Sequence, residues 1–109
     1  MRSHGAVGCA LALLVALPAI AAPELTTRQK EIVYMVREDC GSCHGLLLKG
    51  GLGPAILPEN LAGKDPQALA RIILDGSPGT AMPPWRPMLS EAEASWIVDQ
   101  LRKGFPDAR

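Results

Sequence analysis

The sequence predicts an all-α fold, three main helices joined by two long, stiff loops. Two observations carry the prediction. Apolar residues recur at helical spacing in three segments, each opened by a capping signal, and no run alternates as a strand would. Between them, Gly41–Gly63 and Gly76–Pro87 are rich in Gly and Pro, which end helices and stiffen loops. No internal repeat is visible.

A leader precedes the helices. Arg2 and His4 are followed by an apolar run from Cys9 to Leu17, which ends in Pro18-Ala19-Ile20-Ala21. A basic start, a short apolar stretch and an A-x-A ending describe a secretory signal peptide over residues 1–21, cut after Ala21. A membrane anchor would need about 20 apolar residues, more than this run supplies. Cys9 lies before the run rather than after it, which does not suit a lipid anchor. The membrane therefore matters only for export, and the mature domain is 22–109.

Thr26 with Gln29 forms the pattern of a capping box, and Ile32, Val33 and Val36 then share one face, so the first helix is expected from Thr27 to Glu38. Asp65-Pro66 supplies an N-cap and a proline at the first helical position. Leu69, Ile72 and Ile73 follow, and Gly76 ends the second helix. Ser90 with Glu93 is a second capping box. Trp96, Ile97 and Leu101 are the expected apolar stripe of the third helix, which Gly104 and Pro106 stop.

Charge narrows the partners. Of the eleven basic residues only Arg2 lies in the leader, against eleven acidic residues beyond it, so the domain is nearly neutral. Nucleic-acid binding, which calls for a basic face, is excluded on that ground. Tyr34, Trp85, Trp96 and Phe105 are the only aromatic residues. A domain this small and poor in aromatics needs a staple or a buried cofactor.

The cofactor motif is Cys40-Gly41-Ser42-Cys43-His44, the C-x-x-C-H sequence of haem c attachment. Two thiols three residues apart reach the two vinyl groups on one porphyrin edge, and the adjacent imidazole falls beneath the iron. Gly41 and Ser42 are small and let the backbone approach the ring. Three other readings compete. A disulfide suits an exported protein. A thiol-redox site belongs with a βαβ pattern, which is missing. Zinc wants four ligands, and the mature chain offers Cys40, Cys43 and His44.

From this motif outward the chain resembles the class I, single-haem cytochromes c. The resemblance implies a small fold with its three main helices wrapped around one covalently bound haem c. Gly53-Pro54 matches the family's Gly-Pro, which implies that the Pro54 carbonyl accepts a hydrogen bond from His44. The chain departs from the pattern at Ile32 and Val36, where the family often has a glycine and an aromatic residue, and near Gln100. Trp96 is expected to fill the vacated volume.

Met35, Met82 and Met88 compete for the sixth iron position. Met35 lies on the same helix as Cys40 and cannot easily reach the opposite haem face. Met82 comes after the middle helix, and Pro83-Pro84 holds it in a stiff extended frame that lowers the cost of ordering the loop. Met88, just before the last helix, is expected to pack on that helix and remains the alternative ligand. With His44 and Met82 on the iron, both axial sites are filled and the thioether favours the ferrous state. That describes a one-electron carrier rather than an enzyme. The alternative is a haem-based ligand-binding protein or haem enzyme with a labile sixth position.

Leu46-Leu47-Leu48, Gly50-Gly51 and Trp85 are candidates for an apolar docking rim, with Lys49 and Arg86 available for weak steering. Redox encounters bury little surface, under about 1,200 Å². The stretches DCGSCHGLLLKGGLGPAILPENL and ILDGSPGTAMPPWRPMLSEAEASWIVDQL resemble one subgroup, the small c-55X cytochromes encoded beside the haem c/haem d nitrite reductase of denitrifying bacteria. That likeness implies a periplasmic carrier. Its partners would be nitrite reductase, as electron acceptor or as an enzyme whose special haem is being matured, and an upstream electron donor.

Overall fold

The computed structural model describes residues 1–19 and 23–106. The cleavage point expected after Ala21 lies outside the described residues. Residues 1–19 have no regular secondary structure, and no helix among the described residues is long and apolar enough to cross a membrane.

Helix α1, Thr27–Met35, opens on the expected capping box: Gln29 N–H donates to Thr26 Oγ1 (3.1 Å) and Thr26 N–H to Gln29 Oε1 (2.9 Å). It does not stop at Glu38. A π-helical turn, Val36–Cys40, leads directly into the short helix α2, Gly41–His44. Gly41 and Ser42 are weak helix formers, which is why the sequence pattern ends early. The helical run instead ends at Gly45, whose φ of 93° turns the chain away. A single π turn of this kind is a common way to re-aim residues near a site.

The first long loop carries a short helix that sequence reasoning missed, α3, Pro58–Leu61, whose Asn60 side chain accepts from Leu57 N–H (3.2 Å). Helix α4, Pro66–Asp75, begins with Asp65 accepting from Gln67 and Ala68 N–H groups (3.4 and 3.0 Å). Helix α5, Glu91–Arg102, begins with the reciprocal Ser90–Glu93 bonds (3.1 and 3.0 Å). The described residues contain no strand.

Helix α4 packs along α5, and α3 packs on α5 as well. The buried stripe of α5 is Ala94, Ile97, Val98 and Leu101, at i, i+3, i+4 and i+7. Trp96 is therefore not part of it: one residue before Ile97 is about 100° round the helix. Trp96 is half-buried and packs against the edge of the core. On α4, Ala70 and Leu74 are the core residues, while Leu69, Ile72 and Ile73 turn to a cavity.

The core is small. Ile32, Val33, Val36 and Val98 are the largest fully buried side chains, each worth about 1.5–3 kcal/mol. Polar ties join the chain ends. Arg28 Nε donates to Glu93 Oε2 (2.6 Å) and its Nη2 to the Met88 carbonyl (2.9 Å). Arg37 donates to the Phe105 and Pro106 carbonyls (both 3.1 Å) and lies over the Phe105 ring.

Candidate haem site

The end of the first helical run, the loop after it and the loop after α4 enclose a cavity of about 500 Å³, within the usual size of cofactor sites. Cys40, Cys43 and His44 line it from the helical run, and Met82 lines it from the second loop. Leu69, Ile72 and Ile73 of α4 and Val98 and Leu101 of α5 contribute aliphatic wall, and among the described residues no Asp, Glu, Lys or Arg lines it.

His44 is set by three short contacts. Its Nδ1 lies 2.7 Å from the Pro54 carbonyl oxygen, which can only accept, so Nδ1 is the donor and Nε2 is the nitrogen left for a ligand bond in the neutral ring. Gly53 passes so close to the ring that a Cβ there would lie 2.9 Å from Nδ1 and 3.0 Å from Cε1. The loop folds back onto the motif's own backbone. Gly50 N–H donates to His44 O (2.7 Å) and Gly53 N–H to Cys43 O (2.8 Å). Gly45 is needed twice over, for its positive φ and because a Cβ would meet Gly50 O at 2.6 Å.

Cys40 and Cys43 form no disulfide with each other. Burial, helped by the Asp39 charge, pushes the Cys40 thiol up to about 11. The thiol-redox reading also lacks its βαβ frame, since the described residues contain no strand. Among the described residues no group of His, Cys, Asp and Glu is arranged to hold a free metal ion, which leaves the zinc reading without a ligand set.

Met82 is held by its backbone. Its N–H donates to Thr80 Oγ1 (3.3 Å) and its carbonyl accepts from Ser77 N–H (3.2 Å). Gly76, at φ 75°, makes room: a Cβ there would meet Met82 O at 2.7 Å. The returning chain caps α4, with Trp85 N–H on Ile73 O and Arg86 N–H on Leu74 O (both 3.0 Å). Met35 and Met88 do not line the cavity. Met88 is also not the packing residue expected, since it is 54% exposed and its carbonyl, not its side chain, holds Arg28.

The rim differs from expectation. Leu48 is buried in the core, and only Leu46 and Leu47 stand out from the surface. Leu52, which sequence reasoning passed over, is 92% exposed and still borders the cavity. Arg86 is unavailable for steering, because Asp75 and Glu91 hold it. Trp85 is half-buried beside Asp39, Cys40 and Cys43, at a second, smaller space next to the cavity.

An imidazole with its Nε2 free, two thiols on the adjoining helical turn, a thioether and an uncharged aliphatic wall suit an iron porphyrin. Such a fold and pocket define a class I c-type cytochrome domain. The family model described as cytochrome c oxidase, cbb3-type, subunit III matches residues 24–100. Cytochrome c55X of Paracoccus denitrificans is 54% identical over 93 residues, 85% of this chain and 90% of that protein. The solved structure of the c-type cytochrome NirC matches with a TM-score of 0.72 and 48% identity, over 74% of this chain and 95% of that one. Dihydro-heme d1 dehydrogenase of Pseudomonas aeruginosa is 35% identical over 92% of this chain, which corresponds to 19% of that larger protein. The chain belongs to the c-type cytochrome family that this model describes and, within it, to the cytochrome c55X group. Covalently bound haem c, with its iron, is the cofactor of that family.

Proposed function

We propose that the mature domain is a periplasmic carrier of single electrons, exported by the leader 1–21, with Cys40 and Cys43 bonded to the haem and His44 and Met82 on its iron. The observation that carries this reading is that His44, with Nε2 free, and Met82 line one uncharged cavity. The haem iron supplies the one-electron couple. His44, oriented by Pro54, donates through Nε2. That hydrogen bond fixes the tautomer and the orientation of the ring. The Met82 thioether would favour the ferrous state, and with His44 and Met82 both holding the iron no position would remain for a substrate. The aliphatic wall lowers the polarity around the ring, which favours the less charged ferrous form.

The partner we propose is a nitrite reductase, supplied with electrons or assisted in maturing its special haem, with an upstream donor reducing the carrier. The likeness to a c55X cytochrome and to a dihydro-heme d1 dehydrogenase supports this class of partner. Spectra of the holoprotein test the ligand set. Met82→Ala should remove the weak far-red thioether-to-iron band of the ferric form and lower the potential, and Met88→Ala should leave both. The reverse pattern overturns the assignment. Ferrous protein should keep its low-spin spectrum under CO, and CO binding would favour an open-site haem protein instead. Mixing reduced holoprotein with nitrite reductase and nitrite should oxidise it on the turnover timescale. No oxidation would remove the donor role.

A further inference from the structure

The loop that carries Met82 is closed at its neck by a fork. It leaves α4 at Gly76 and returns at Trp85 and Arg86, whose N–H groups bond the Ile73 and Leu74 carbonyls. At the same place the Arg86 side chain grips Asp75, the last residue of α4, with Nε on Oδ1 (2.7 Å) and Nη2 on Oδ2 (3.0 Å). Its remaining Nη1 reaches Glu91 Oε1 on α5 (3.4 Å). One side chain thus joins the two ends of the methionine loop to each other and to the neighbouring helix.

We infer that Arg86 is a positioning residue for Met82, holding the loop so that the thioether stays at the iron. The inference rests on Met82 being the axial ligand. Most exposed ion pairs contribute little, because two long side chains must be ordered against water. This pair differs in two ways. The guanidinium fork meets both carboxylate oxygens, the geometry that only arginine offers. The Arg86 backbone is already fixed on Leu74 O, so little further ordering is needed. The loop between the clamped residues is short, and closing it in advance lowers the entropy lost when the thioether binds.

Exogenous imidazole competes with the thioether for ferric iron, so its affinity reads how firmly Met82 is held. In the holoprotein, Arg86→Ala and Asp75→Ala should each raise imidazole affinity about three- to fivefold, the scale of a well-formed exposed pair. The double variant should do no more than Arg86→Ala alone, because that substitution already removes the fork together with the Glu91 contact. Arg86→Lys, which keeps the charge without the fork, should fall between wild type and Arg86→Ala. If Arg86→Ala lowers the denaturation midpoint but leaves imidazole affinity and the far-red band unchanged, the residue is only structural and the inference fails. That result leaves the ligand assignment intact provided Met82→Ala still removes the band. If Met82→Ala leaves the band in place, both fall.

Discussion

Gly53 and His44 are packed so closely that a single added methyl group would have to move the imidazole: a Cβ on residue 53 would lie 2.9 Å from Nδ1. The same nitrogen donates to the Pro54 carbonyl at 2.7 Å, so crowding and orientation of the ring are set by adjacent residues.

Gly53→Ala is therefore expected to push the ring off the Pro54 carbonyl. Overpacking of this kind costs about 1–3 kcal/mol. In a domain of this size that lowers the thermal midpoint by about 4–8 °C per kcal/mol. The holoprotein should also show a shifted potential, because the imidazole loses its hydrogen-bond partner. An unchanged melt and an unchanged potential would mean that the ring has room to spare.

Acid should reveal the tie between α1 and α5. The Arg28 side chain, with the Ser90 N–H behind it, holds the Glu93 carboxyl down at about 2, from an ordinary 4.5. A carboxyl depressed by folding stabilises above its unfolded value, and that contribution is lost as pH falls from 4.5 towards 2. Glu93→Gln keeps an acceptor for Ser90 N–H but no charge for Arg28. Wild type should be the more stable at neutral pH, and thermal melts of the two should converge near pH 2. Parallel melts across that range would show that the ion pair contributes nothing.

Protein made without haem should not hold this fold. Without haem, the aliphatic side chains around a space of about 500 Å³ lose their packing partner, and the small core has little to replace it. Whole domains are stable by only about 5–15 kcal/mol. A Cys40→Ser, Cys43→Ser variant purified free of haem should lose helical circular dichroism and cooperative unfolding. A sharp, native-like transition would show that the aliphatic core suffices alone.

Much of this was legible in the sequence because it is local. The capping boxes at Thr26 and Ser90 and the Asp65-Pro66 start are decided within a few residues and appear as read. The Gly53-Pro54 pair met His44 because the intervening loop is short and tightly bonded. Stripes were less legible. On α5 the bulk of Trp96 drew attention away from Ala94, although Ala94 is completely buried. On α4 the apolar spacing picked out Leu69, Ile72 and Ile73, which line the cavity, and not Ala70 and Leu74, which are buried in the core. A helix that packs on both a neighbour and a cofactor site has two apolar faces, and periodicity alone does not say which is which.

The sequence by itself pointed to haem, since two thiols and an imidazole stand within five consecutive residues in the C-x-x-C-H pattern. It also determined where the main helices begin. Tertiary structure decided which methionine borders the cavity, with Met82 on its wall and Met88 turned outward. It decided too that Arg86 closes the Met82 loop on Asp75 instead of facing a partner. The physical reason is distance along the chain. Met82 meets the motif only after α4 has packed on α5 and Gly76 has turned the loop back, and no window of local sequence holds both ends of that path.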